Sequence, residues 1–139
     1  MAQLISNSET ERCLRVCLKA QGYRLSTPRK NGETGVDLTA QKGNERHFIE
    51  VIGFTKFPPA RSRAFYEIFF RAISRIKDGP KSIVIALPER FGDGLNKRAS
   101  HYGEAWRRIG KAFPELEIWL VNCEQPPSYR RTTWNSWLT

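Results

Sequence analysis

Two acidic residues stand where ionised side chains are expensive. Glu50 sits inside Arg46-His47-Phe48-Ile49-Glu50-Val51-Ile52-Gly53, a run that reads as a β-strand. Asp37 sits inside Gly35-Val36-Asp37-Leu38-Thr39, which reads as the strand before it. A polar hairpin around Lys42-Gly43-Asn44 joins the two. A carboxylate buried without a partner carries a large desolvation penalty. Two acids on neighbouring strands can instead share a divalent cation, which offsets both their burial and their repulsion.

The elements that would position these acids are legible from patterning. Ser8-Glu9-Thr10-Glu11 has the spacing of a capping box, with Ser8 as N-cap. Leu14, Cys17 and Leu18 then recur at helical intervals up to Gln21-Gly22. Tyr23-Arg24-Leu25-Ser26 is a short strand, closed by Pro28 and the turn Arg29-Lys30-Asn31-Gly32. Pro58-Pro59 opens a second helix with Phe65, Ile68, Phe69, Ala72, Ile73 and Ile76 on one face. Ser82 to Leu87 is a continuous apolar run, as expected for a strand covered on both sides. Phe91-Gly92-Asp93-Gly94 reads as a loop, and a third helix is expected from about Leu95 to Ala112. Leu116 to Val121 is a further strand. Pro126-Pro127 sets off residues 126–139 as a C-terminal tail rich in arginine and tryptophan. The order αβββαβαβ implies an α/β domain with a mixed central sheet and helices on both faces.

This order, taken with Asp37 and Glu50, resembles the PD-(D/E)xK nuclease superfamily, the restriction-endonuclease-like fold. The resemblance implies a three-layer α/β/α core over residues 1–139 as a single domain. Asp37 matches the family's first acid and Glu50 its second. Ile52 occupies the position of the motif lysine, so the third element of the pattern is missing. By carry-over, Asp37, Glu50 and the main-chain carbonyl of Val51 would hold Mg2+ or Mn2+. The metal would lower the pKa of a bound water and stabilise charge on the phosphate during hydrolysis of a DNA phosphodiester. Ile52 can supply no charge there. Lys56, shortly after the strand, is the first candidate for a displaced lysine, ahead of Lys42, Arg63 and Arg71. The alternative is a protein that keeps the fold without catalysis and binds nucleic acid or associates with itself.

Each residue also has a plainer role. Glu50 can be satisfied by an arginine of the second helix, and Asp37 can cap or close a turn. Glu11 resembles an acid found near the metal in some family members, although helix capping explains it as well. Glu33 lies in a glycine-rich turn and is expected in solvent. Arg63, Arg71 and Arg75 form a stripe at four-residue steps that suits a phosphate backbone. Glu67 between them suggests instead a solvated face of i,i+4 pairs. His47 alternates to the strand face opposite Glu50, and neither it nor His101 is expected to join a serine or cysteine in a nucleophilic group.

The formal net charge of +9 over 139 residues favours a polyanionic partner, DNA first. No apolar run is long enough for a membrane span, and the first residues lack signal-peptide character, so a cytoplasmic protein is expected. Cys13, Cys17 and Cys123 are expected as reduced, packed thiols. The tail tryptophans are expected to dock on the domain's own core, with a homodimer interface as the second option.

Overall fold

Strand β4 (Glu45–Val51) runs through the middle of the domain and carries Glu50. The computed structural model describes residues 3–29 and 37–139. Residues 30–32 of the expected turn, Glu33, and residues 35 and 36 of the expected strand 35–39 therefore fall outside the described residues. Strand β1 (Gln3–Ile5) precedes helix α1 (Asn7–Ala20), and β2 (Arg24–Leu25) follows it. Strand β3 (Leu38–Lys42) pairs antiparallel with β4. Strand β5 (Phe54–Thr55) leads to helix α2 (Pro58–Ser74) and a 3-10 turn, Arg75–Asp78. Then come β6 (Ile83–Pro88), α3 (Phe91–Tyr102), α4 (Glu104–Ala112), β7 (Leu116–Asn122) and β8 (Ser128–Thr133). A second 3-10 turn, Trp134–Trp137, ends the fold.

The main sheet has the order β2-β3-β4-β6-β7-β8, while β1 and β5 form a separate small ladder. The central pairs β4–β6 and β6–β7 are parallel, and the outer pairs are antiparallel. This is a mixed α/β architecture, as the patterning implied. Alternation along the strands sends Ile49 and Val51 to the cluster beneath α1, and Ile52, Ile83 and Ile85 to the larger cluster beneath α2, α3 and α4. Strand β6 is buried along its whole length because both faces are covered.

Several expectations are corrected. The N-cap of α1 is Ser6, not Ser8, and its hydroxyl accepts the Glu9 N–H at 3.0 Å. Ser6 and Glu9 keep the same three-residue spacing, so the sequence offered two registers. The expected third helix is two helices that meet at Gly103, whose φ of 51° interrupts the run. Phe91-Gly92-Asp93-Gly94 forms the first turn of α3 rather than a loop. The segment 126–139 does not hang free. Strand β8 pairs along the edge of β7, and Trp134 stacks on Trp106 with centroids 3.9 Å apart.

Cys13 and Cys123 form a disulfide that ties α1 to the end of β7, so the expectation of three reduced thiols fails for this pair. Cys17 is free and buried. No described helix is long and apolar enough to cross a membrane.

Candidate functional site

The register Leu38↔Ile49 puts Asp37 beside Glu50 at the point where β3 begins. The Asp37 charge reaches Glu50 and helps to raise its pKa. Beyond that, the two acids are served by different layers. Asp37 Oδ2 accepts the Val51 N–H at 2.9 Å, and Arg29 Nη2 donates to Oδ1 at 2.7 Å. Asp37 keeps some contact with solvent, lining a cavity of about 350 Å³ with Ser8, Glu11, Arg12, Pro28 and Arg29. Glu11, which resembled a metal-side acid, pairs with Arg15 at 2.8 Å.

Glu50 lies under α2 and the turn that follows it. Its side chain is 1% exposed. Arg75 Nε stands 3.2 Å from Oε2, and Arg71 Nε stands 3.8 Å from Oε1. Burial pushes the carboxyl up to about 7, Asp37 adds to this, and Arg75 and Arg71 oppose it. Two of the three arginines expected to track a phosphate backbone are thus turned inward onto an acid. Arg63 is exposed and makes no ion pair with a described residue, and Glu67 pairs with neither neighbour.

This donor set does not fit a hydrated magnesium ion. Both Asp37 oxygens already meet N–H donors, and both Glu50 oxygens face guanidinium groups in a closed space. Magnesium demands near-octahedral oxygen ligands and retains several waters. Ile52 is packed in the core beneath α2, so nothing on this strand replaces the motif lysine. Lys56 is exposed beyond β5 and makes no ion pair with Asp37 or Glu50. The chain does not turn back after Gly53 because β5 pairs with β1. A Cβ on Gly53 would lie 2.0 Å from the Ile5 carbonyl oxygen. Glu9, Cys13 and Cys123 also cluster, but the two sulfurs are joined to each other and offer no thiolate.

On the opposite sheet face, His47 meets a serine that the sequence pattern did not point to. Its Nδ1 is 2.7 Å from Ser82 Oγ, and its Nε2 is 2.6 Å from Glu45 Oε1. Tyr23 donates to Glu45 at 2.6 Å, and Arg131 reaches both Glu45 and Glu117. These partners, the Tyr23 and His47 hydrogen bonds foremost, hold Glu45 down at about 2. His47 is 2% exposed and Ser82 7%, and the network ties β4 to β7 and to the residue before β6.

A second basic group lies elsewhere; sequence reasoning gives Lys97 and Arg98 the same choice as the α2 stripe, a phosphate backbone or a solvated face, and passes over Arg61 and Arg90. Arg61, Arg90, Lys97 and Arg98 line one cavity of about 520 Å³ with Phe54, Ser62, Asp93 and Gly94. The signal was present only as scattered arginines, because β5 and two helix starts had to be placed before they could be seen to converge. No family model, curated protein or solved structure matches this chain.

Proposed function

We propose that this domain binds nucleic acid through its basic surface without a catalytic metal, a restriction-endonuclease-like core whose acids have become structural. The observation that carries this reading is the closure of Glu50 between Arg75 and Arg71. An acid held in that way joins α2 to β4, with its two oxygens facing guanidinium groups rather than a water-bearing cation. The net charge of +9 supplies the attraction for a polyanion. Metal-dependent cleavage, implied by the family resemblance, has weaker support here. It would need both arginines to leave and a cation to arrive from outside the strand.

The test is fluorescence anisotropy with a labelled DNA duplex across a range of salt concentrations, in magnesium and in EDTA. The expected result is binding that weakens as salt rises, with a log–log slope of about −3 to −4 and the same affinity in both buffers. A flat salt response, or binding that requires magnesium, contradicts the proposal.

A second reading, self-association, is favoured by one feature. Phe65, Tyr66, Phe69, Phe70, Tyr102 and Trp106 line an apolar cleft between α2 and α4, and Phe70 is 68% exposed at its rim. Sedimentation of the wild type against Phe70→Asp tests it. A dimer dispersed by the substitution supports it, and a monomer at all concentrations rejects it.

A further inference from the structure

Four cations converge in the cavity between α2, β5 and α3. Two of them lie against the ring of Phe54. The Arg61 guanidinium lies 4.1 Å from its centroid and that of Arg90 lies 4.6 Å away. Arg98 is steadied by donating to Ser62 Oγ at 3.0 Å and lies over the rings of Phe65 and Phe91. Lys97 completes the wall and is exposed. None of the four forms an ion pair with a described residue, although Asp93 is in the same cavity. Most other arginines of the sheet and helices have found a carboxylate.

Like charges brought together without an acid between them repel, and the repulsion is felt. Burial and the neighbouring Arg98 and Arg90 hold Arg61 below the usual arginine range. Such an arrangement is stabilised by an anion. Two helix starts also open on the cavity, through Pro58, Arg61 and Ser62 of α2 and through Phe91, Asp93 and Gly94 of α3. Neither has a side-chain cap, and although Pro58 and Pro59 bring no N–H to the start of α2, the two helix dipoles add positive potential to that of the side chains. Gly94 leaves space that Arg98 uses. A Cβ there would lie 2.6 Å from Arg98 Nη1.

We propose that this cavity is a phosphate-binding site in which Arg61, Arg90, Lys97 and Arg98 grip a backbone phosphodiester of nucleic acid. The proposal rests on the nucleic-acid reading and names the place and the chemical group that it uses. Guanidiniums fixed in advance by aromatic rings lose little freedom on binding, and arginine matches phosphate oxygens in paired hydrogen bonds.

The experiment compares wild type, Arg61→Gln, Arg90→Gln, Gly94→Ala and the charge-matched control Lys111→Gln from α4. Duplex DNA affinity is read by anisotropy, and thermal stabilisation by inorganic phosphate is read separately. Each arginine variant is expected to weaken DNA binding about tenfold and to reduce the salt slope by about one. Lys111→Gln should remain within about twofold. Gly94→Ala keeps all four charges and favours the helix, so it should displace the Arg98 guanidinium and weaken binding about threefold without lowering the melting temperature. Phosphate should stabilise wild type and Lys111→Gln, and should stabilise the arginine variants much less. If wild type binds DNA and the arginine variants bind equally well, the site is wrong while the nucleic-acid reading stands. If wild type ignores DNA but phosphate stabilisation is lost in Arg61→Gln, the cavity serves free phosphate and the nucleic-acid reading falls. If neither ligand distinguishes Arg61→Gln from Lys111→Gln, the site is overturned.

Discussion

Arg75 reaches back from the turn after α2 and places its Nε 3.2 Å from the buried carboxylate of Glu50. This pair joins the helical layer to the middle of the sheet, and it sets a pH dependence whose sign can be worked out. The folded-state pKa of Glu50 is raised from 4.5 to about 7. Between these values the folded protein holds a proton that the unfolded chain has released. The stability that Glu50 contributes is therefore fully present below about pH 4.5 and is lost as pH rises through about 7. The loss is at most about 3 kcal/mol. Urea unfolding between pH 5 and pH 8 should show it, and Glu50→Gln should remove that part of the slope. Arg75→Ala should lower stability at pH 8 by about 3 kcal/mol by leaving the acid buried with one distant partner.

Trp106 and Trp134 donate their indole N–H groups to each other's main-chain carbonyl, at 2.9 and 2.8 Å. Their stacked rings, with Phe65 and Phe69 alongside, lock the C-terminal turn onto α4 and α2. Trp134→Ala should destabilise the domain by about 3 to 5 kcal/mol. Chemical unfolding followed by tryptophan fluorescence measures this. A loss below about 1 kcal/mol would show that the segment is not part of the core.

Cys13 and Cys123 close a loop across a sequence separation of 110. Protein unfolded without reductant should show one reactive thiol, from Cys17, and three after reduction. Reduction should also lower stability by about 5 kcal/mol on the loop-entropy argument. Three thiols before reduction would mean that the pair is open in solution.

Gly53 donates its N–H to Asn7 Oδ1 at 2.7 Å, where the chain of β1 passes close by. Any Cβ there meets backbone of Ile5, Ser6 and Asn7, which cannot move aside cheaply. Gly53→Ala should cost about 3 kcal/mol or more, read as a fall in the urea midpoint. Gly43→Ala, at a position with open space around the Cβ, should cost only the strain of its positive φ, about 1 kcal/mol.

Much of the mixed sheet was legible because hydrophobic period separates half-buried from fully buried strands, as in β4 and β6. The acids on adjacent strands were legible for the same reason, since a charge in an apolar run stands out. Their partners were not. Arg75 and Arg71 fall on Glu50 only once α2 is laid across β4, and Arg63, about two turns before Arg71 on the same stripe, forms no ion pair with a described residue. The first residue of α1 was ambiguous because Ser6 and Ser8 both precede a glutamate by three. The edge strand β8 was hidden by its polar alternation, Ser-Tyr-Arg-Arg-Thr-Thr, which is what an edge open to solvent permits. The Arg61–Phe54–Arg90 stack joins residues far apart in the chain that share no local pattern.

The most direct test of the account is incubation of supercoiled plasmid with the protein in magnesium and in manganese, with Glu50→Ala in parallel. The account predicts a retarded but uncut plasmid in both metals, the same for both proteins. Metal-dependent nicking by wild type that is lost in Glu50→Ala would contradict it.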